Sequence, residues 1–127
     1  MQITELFTRE KSNVGTKMPV FSPSNEKTEE WIMVRYLDCD AFREVSDRCT
    51  REAIIMKDEK NTELKDLMQK RHKQEMLIAL VADWSFDTEF TKENVATLLE
   101  NAPYIGDAID RFAATRLNFF PKEQKPS

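Results

Sequence analysis

Glycine is scarce: Gly15 and Gly106 are the only two in 127 residues. A sandwich or barrel of many short strands turns too often to manage with so few, so an all-β fold is disfavoured. Cysteine is scarce too. Cys39 and Cys49 stand ten residues apart, on or near one expected helix. That spacing suits no disulfide, and with a single histidine it makes no zinc site of recognised spacing. No apolar run approaches the ~20 residues of a membrane helix. The longest, "MLIALVA" (Met76–Ala82), is a buried helix turn or two. Basic charge is not in excess: Lys and Arg number 19 against 23 Asp and Glu, a formal charge of −4. A general nucleic-acid binder usually carries a basic face, so this balance points away from one. The opening "MQITELFTRE" has neither the basic region nor the small-residue cleavage site of a signal peptide, and a cytoplasmic protein is expected.

The motifs of catalysis are also missing. There is no Gly-rich phosphate loop, no G-x-S-x-G and no H-E-x-x-H. "DCD" (Asp38–Asp40) lacks the glycine and the distal glutamate of a calcium loop. His72 lies in "QKRHKQ", a polar helical stretch, and a general base needs an orienting partner and a pocket. It is expected to be a solvated surface residue, and "KRHK" a wet helix face. No enzyme, cofactor or metal site is expected.

What is present is long, charged, Leu-, Met- and Ala-bearing sequence, which favours helices. The length suits one domain with a modest core, and no solenoid-type repeat is found. Residues 1–14 are weakly patterned and expected to be weakly ordered, with one helical turn at "ITELF". Residues 15–37 form a β element of two strands. "KMPVF" (Lys17–Phe21) is confined to an edge by Pro19, and "EWIMVRYL" (Glu30–Leu37) is rich in β-branched and aromatic residues. Trp31 and Met33 face one side of this strand, Ile32, Val34 and Tyr36 the other. A strand apolar on both sides is either covered by helices or paired at its edge with another chain, so self-association is a further expectation.

Residues 38–120 read as helical. A first helix starts near "LDCDAF", capped by Asp38 or Asp40, with an apolar stripe at Phe42, Val45, Cys49, Ala53 and Met56. "KDEKN" makes a turn. A second helix runs from about Thr62 to Asp83, buried at Leu64, Leu67, Met68 and the Met76–Ala82 run. Its polar middle, "QKRHKQE", either projects into solvent or is covered by a partner. A short third helix carries Val95, Leu98, Leu99 and Ala102. A fourth opens at Pro103 and carries Tyr104 or Ile105, Ala108, Ile109, Phe112 and Ala113, then Phe119 or Phe120. Residues 121–127 are expected to be a disordered tail. The fold class is therefore mainly α: about four helices in one small domain, 1–120, with a short N-terminal two-stranded β element.

Between the second and third helices stands "DWSFDTEF" (Asp83–Phe90), three aromatics in what should be a polar connector. Thr91 is a natural N-cap, which makes Phe90 and Val95 the two positions of a hydrophobic staple. Trp84 ends the most apolar helix segment and should cap the core. Phe86 has no local task that the pattern assigns. Large aromatics are mostly buried, so core anchoring competes with any binding role for all three.

Three segments together resemble the small tail assembly chaperones of long-tailed bacteriophages. The first is "EWIMVRYLDCDAFREVSDR", a strand, a short Asp-bearing cap and an aromatic–Arg pair opening a helix. In the family this cap often reads Asp-Ser; here Cys39 takes the place of the serine. The second is "LIALVADWSF", an apolar helix end running into a tryptophan. The third is "FTKENVATLLENAPYIGDAIDRFAATRLNFF", similar to the family's closing pattern of aromatic, Thr or Ser, Glu-Asn, a Leu pair, Pro and a last helix ending in Phe. The resemblance spans Glu30 to Phe120. It implies a non-enzymatic protein made in the infected cell, acting in the host cytoplasm and absent from the finished virion. The implied partners are the tape measure protein and the tail tube protein. The candidate partner surface is Trp84, Phe86, Tyr104, Phe119 and Phe120, with Phe86 and Phe120 expected to be the exposed pair. The alternative is a small structural head–tail completion protein of the virion.

Overall fold

The computed structural model describes residues 1–122. Among these, five α-helices and a three-stranded antiparallel sheet surround one core. A 3₁₀ turn at Ile3–Leu6 precedes α1 (Arg9–Val14), then β1 (Thr16–Phe21) and β2 (Lys27–Val34). There follow α2 (Asp40–Ile55), α3 (Thr62–Ala79), β3 (Val81–Trp84), α4 (Lys92–Asn101) and α5 (Pro103–Ala114), closed by a 3₁₀ turn at Arg116–Asn118. The tail expected at 121–127 starts with exposed Pro121 and Lys122; residues 123–127 lie outside the described residues.

The sheet has three strands where two were expected. Strand order is β1-β2-β3, with Ile32 opposite Trp84 and Val34 opposite Val81. The third strand comes from the end of what read as one long helix. A short apolar run satisfies a buried strand as well as a buried helix, and periodicity alone does not separate them. The helix stops at Ala79, and the Arg35 N–H donates to the Leu80 carbonyl, 2.7 Å, as the chain turns into β3. β1 is an edge strand, with Pro19 opposite Trp31. β2 is central, flanked by β1 and, over Ile32–Val34, by β3, so that part of it has no free edge with which to pair a second copy. Its inner side chains, Ile32 and Val34, are fully buried, while Trp31 and Met33 on the other face are half-buried. Lys17 Nζ sits 4.4 Å from the centre of the Trp31 ring.

Residues 1–14 hold more structure than one turn. Arg9 of α1 donates to the Asp40 carboxylate from Nε, shared between both oxygens, and from Nη2, and Asn13 donates once, all at 3.0–3.1 Å, which ties α1 to the start of α2. Asp40 is therefore engaged outward and is the first residue of α2. The cap is Cys39, not Asp38 or Asp40: its Sγ accepts the Phe42 N–H at 3.4 Å. A buried cysteine thus fills the position of a capping hydroxyl. Both cysteines are free and buried, and burial raises both thiol pKa values.

The later helices follow their patterns. Thr91 Oγ1 accepts the Asn94 N–H at 3.0 Å and caps α4, and Pro103 opens α5. Val95, Leu99, Ile105, Ile109 and Ala113 enter the core with Met18, Val20, Leu80 and Val81. The pair α2–α3 departs from expectation. The two helices run antiparallel, with Arg48 meeting Glu75 and Glu52 meeting His72. No residue from 50 to 71 is buried. Ala53, Leu64 and Leu67, expected inside, are exposed, and so are Ile54 and Ile55 at 67% and 80%. The hairpin is longer than the core it stands on, so its far end projects with apolar side chains bare.

Candidate functional site

The connector that follows β3 is held to the sheet at its start. Ser85 Oγ accepts the Trp31 N–H at 2.8 Å, and the Ser85 N–H donates to the Trp31 carbonyl at 3.1 Å. Trp84 is buried, and its indole N–H donates to the Thr88 carbonyl at 2.8 Å, which folds the loop back over the ring. Phe86 and Phe90 then meet Trp84 edge to face, with ring centres 5.2 and 5.4 Å away. This arrangement is favourable for aromatic pairs. Phe86 therefore has a task that the sequence pattern did not assign: it clasps Trp84 from one side while Phe90 does so from another.

The five candidate partner residues are not one surface. Trp84 and Phe119 are core residues. Phe86 and Phe120, expected to be exposed, are half-buried and pack against the core. Phe119 meets Tyr36 at a tilt and Phe120 meets it edge to face, with ring centres 5.1 and 6.0 Å away, and Phe119 also meets Phe112. Tyr104 is the one that is exposed, at 40%, and its hydroxyl donates to the Phe21 carbonyl at 2.9 Å. It stands at one end of a cleft of about 340 Å³ between β1 and α5. The structure thus brings Trp84 together with Phe86, and Phe119 with Phe120, and leaves Tyr104 apart from both pairs.

A larger groove, about 630 Å³, opens between α2, α3, β3 and the start of α4. Val45, Ile78, Val81 and Val95 give it apolar walls, and Phe90, which packs edge to face on Trp84, lines it as well. Arg35, Arg48, Arg51 and Lys92 also line it, with Glu44 and Glu75. This site was missed at the sequence level. It is made by four elements distant in the chain, and its one legible sign was Phe90, which was assigned only to a staple.

An ion-pair ladder crosses the α2–α3 hairpin beside the groove. Arg48 binds Glu52 at 3.0 Å and also Glu75, which in turn takes Arg71 at 3.2 Å. His72 is 7% exposed, not solvated, and its Nε2 is 2.6 Å from Glu52 Oε2. The expectation of a surface histidine fails because α2 lies over this face of α3. Hydrogen bonding to His72, then to Arg48, holds the Glu52 carboxyl below its ordinary pKa of 4.5. Arg48, more than any other neighbour, does the same for Glu75. The His72–Glu52 pair lines neither the groove nor the β1–α5 cleft and has the character of a helix–helix clasp. Among the described residues no cluster of His, Cys, Asp and Glu is suited to a metal ion, and no helix is long and apolar enough to cross a membrane.

A family model described as phage tail assembly chaperone matches residues 14–115. The match runs from the last residue of α1 to the residue after α5, and takes in the whole sheet, the projecting hairpin and the groove. The chain belongs to the phage tail assembly chaperone family. It is a viral protein of tail assembly. No curated protein and no solved structure matches it. Within the chaperone, Trp84, Phe86 and Tyr104 fall inside the matched residues, and Phe119 and Phe120 fall beyond them.

Proposed function

We propose that this chaperone is non-enzymatic, binds the phage tape measure protein during tail assembly in the host cytoplasm, and leaves before the virion is complete, with the tail tube protein as a second partner. The observation that carries the reading is the family match over residues 14–115. The surface is compatible with it. A tape measure chain exposes apolar helical stripes before the tube polymerises around it, and a small helical protein can cover such stripes by receiving them in a groove. This molecule leaves apolar side chains accessible in several places, among them the groove lined by Val45, Ile78 and Phe90 and the hairpin end bearing Ile54 and Ile55.

The test is co-expression with the tape measure protein of the same phage. The long chain is expected to be insoluble alone and to stay soluble and co-purify when this chaperone is present. If it is equally insoluble with and without the chaperone and never co-purifies, the tape-measure partnership is wrong. Finding the protein at stoichiometric level in purified particles would instead support the head–tail completion role.

A further inference from the structure

The groove between α2, α3, β3 and α4 has a charge that differs from that of the molecule around it. Arg48 is already matched by Glu52 and Glu75. Arg35 is not matched by a carboxylate: it donates to the carbonyls of Asn13, Ala79 and Val81. Arg51 and Lys92 carry no ion pair among the described residues, and neither does Glu44. Three cations without a carboxylate therefore face one such acid, in a chain whose formal charge is −4. Between them the walls are apolar. Val95 and Val81 are buried at the base, and Val45 and Ile78 are half-buried at the sides.

We infer that this groove docks a helical protein segment whose apolar stripe is flanked by Asp or Glu. The stripe enters between Val45, Ile78 and Val95, and the carboxylates meet Arg51 and Lys92 at the rim. The identity of that segment as part of a tail protein rests on the function proposed above; its chemistry rests on the groove. A bare apolar groove would accept any amphipathic helix. The unmatched cations add a choice, because opposite charges steer and select a partner while like charges reject it. Neither Arg51 nor Lys92 is buried, so both can be reversed without disturbing the fold.

The experiment uses the full chain and two synthetic helical peptides with the same leucine stripe, one flanked by glutamate and one by lysine. Binding is read by fluorescence anisotropy, and the contact is mapped by amide chemical shifts. The glutamate peptide is expected to bind, with shifts at Val45, Ile78 and Val95, and to weaken as salt is raised. The double variant Arg51→Glu with Lys92→Glu is expected to bind it about tenfold more weakly and to prefer the lysine peptide, the size set by two exposed rim pairs. Unchanged thermal melting checks that the variant is folded. Equal binding of both peptides, no binding of either, or shifts confined to Ile54, Ile55, Leu64 and Leu67 would overturn the inference. So would displacement of the glutamate peptide from the groove by a single-stranded oligonucleotide, which would assign the cations to phosphates. If the glutamate peptide fills the groove but the tape measure chain ignores the chaperone, the proposed partner falls and the groove's chemistry stands. If the tape measure chain binds the double variant as well as the wild type, that chain docks elsewhere and the assignment of the groove's occupant to it is overturned.

Discussion

His72 on α3 and Glu52 on α2 meet at 2.6 Å, with the imidazole nearly sealed from solvent and the carboxylate also holding Arg48. This contact turns a stretch that is polar almost all round into an interface. Replacing His72 by Ala is expected to cost roughly 1.5–3 kcal/mol, the size of a hydrogen bond to a charged group. The pH dependence has a definite sign. The folded-state pKa values of Glu52 and Glu75 lie below the ordinary 4.5. Their contribution is therefore complete above about pH 4.5 and is lost as pH falls through the lower, folded-state values. Urea midpoints at a series of pH values from 7 to 3 should show the wild type weakening below about pH 4.5, with Glu52→Gln giving a flatter profile. Parallel profiles would mean that the ladder does not couple to folding.

Trp84 is expected to be the most costly of the loop aromatics to remove. It is buried, donates to Thr88 and carries both Phe86 and Phe90 on its edges. Trp84→Ala should cost about 3–5 kcal/mol. Trp84→Phe keeps a ring but orphans the Thr88 carbonyl and should cost about 1–2 kcal/mol. Phe86→Ala should also destabilise, since Phe86 packs against the core. Chemical denaturation separates the three. A Phe86→Ala protein as stable as the wild type would return Phe86 to the list of free partner contacts.

The helical part of this fold was legible where pattern and capping agree. Thr91, Pro103 and the stripe from Ile105 to Ala113 fell where amphipathic spacing put them. Three features were not legible, each for a physical reason. The Met76–Ala82 run is apolar on every side, which hides whether its period is that of a helix or a strand, and so β3 was lost. Cys39 was passed over as a cap because thiols rarely serve, yet its Sγ accepts the Phe42 N–H. The burial of His72 depends on Glu52, twenty residues earlier in the sequence, and no local spacing encodes that approach. The candidate surface fared worse than the fold. An aromatic residue signals large contact area but not whether the contact is internal. Of the five candidates Tyr104 alone is exposed, and the charged groove was built from residues that looked like ordinary helix surface.

The two glycines should respond differently to alanine. Gly15 has φ of +90°, and a Cβ there would lie 2.5 Å from the Val34 carbonyl oxygen, a backbone atom of the central strand that cannot swing aside. Gly15→Ala is expected to cost at least about 1–2 kcal/mol from backbone strain alone, and more from the clash. Gly106 lies inside α5, and its Cβ would meet only side chains, Leu77 at 3.3 Å and Leu99 at 3.5 Å. There the gain in helix propensity, about 1 kcal/mol, offsets the tight contact, so Gly106→Ala should fall near neutral. Thermal melting of the two variants side by side is the check, and a Gly15→Ala protein as stable as Gly106→Ala would contradict the close approach of α1 to β2.

The projecting end of the α2–α3 hairpin competes with the groove for the role of docking surface, and stability data can separate them. Ile55 and Leu67 are 80% and 65% exposed. Changing both to Lys should therefore shift stability by no more than about 0.5 kcal/mol, as is usual for exposed sites. The same change at Val95, buried at the base of the groove, would bury a charge and unfold the domain. With Ile55→Lys and Leu67→Lys in place and the groove intact, the tape measure chain should still co-purify, because the groove keeps its apolar walls and its unmatched cations, Arg51 and Lys92. Loss of co-purification at unchanged stability would move the docking surface to the hairpin end. The α2–α3 hairpin would then be an arm that reaches for the partner, with its ion-pair ladder serving to keep the arm straight.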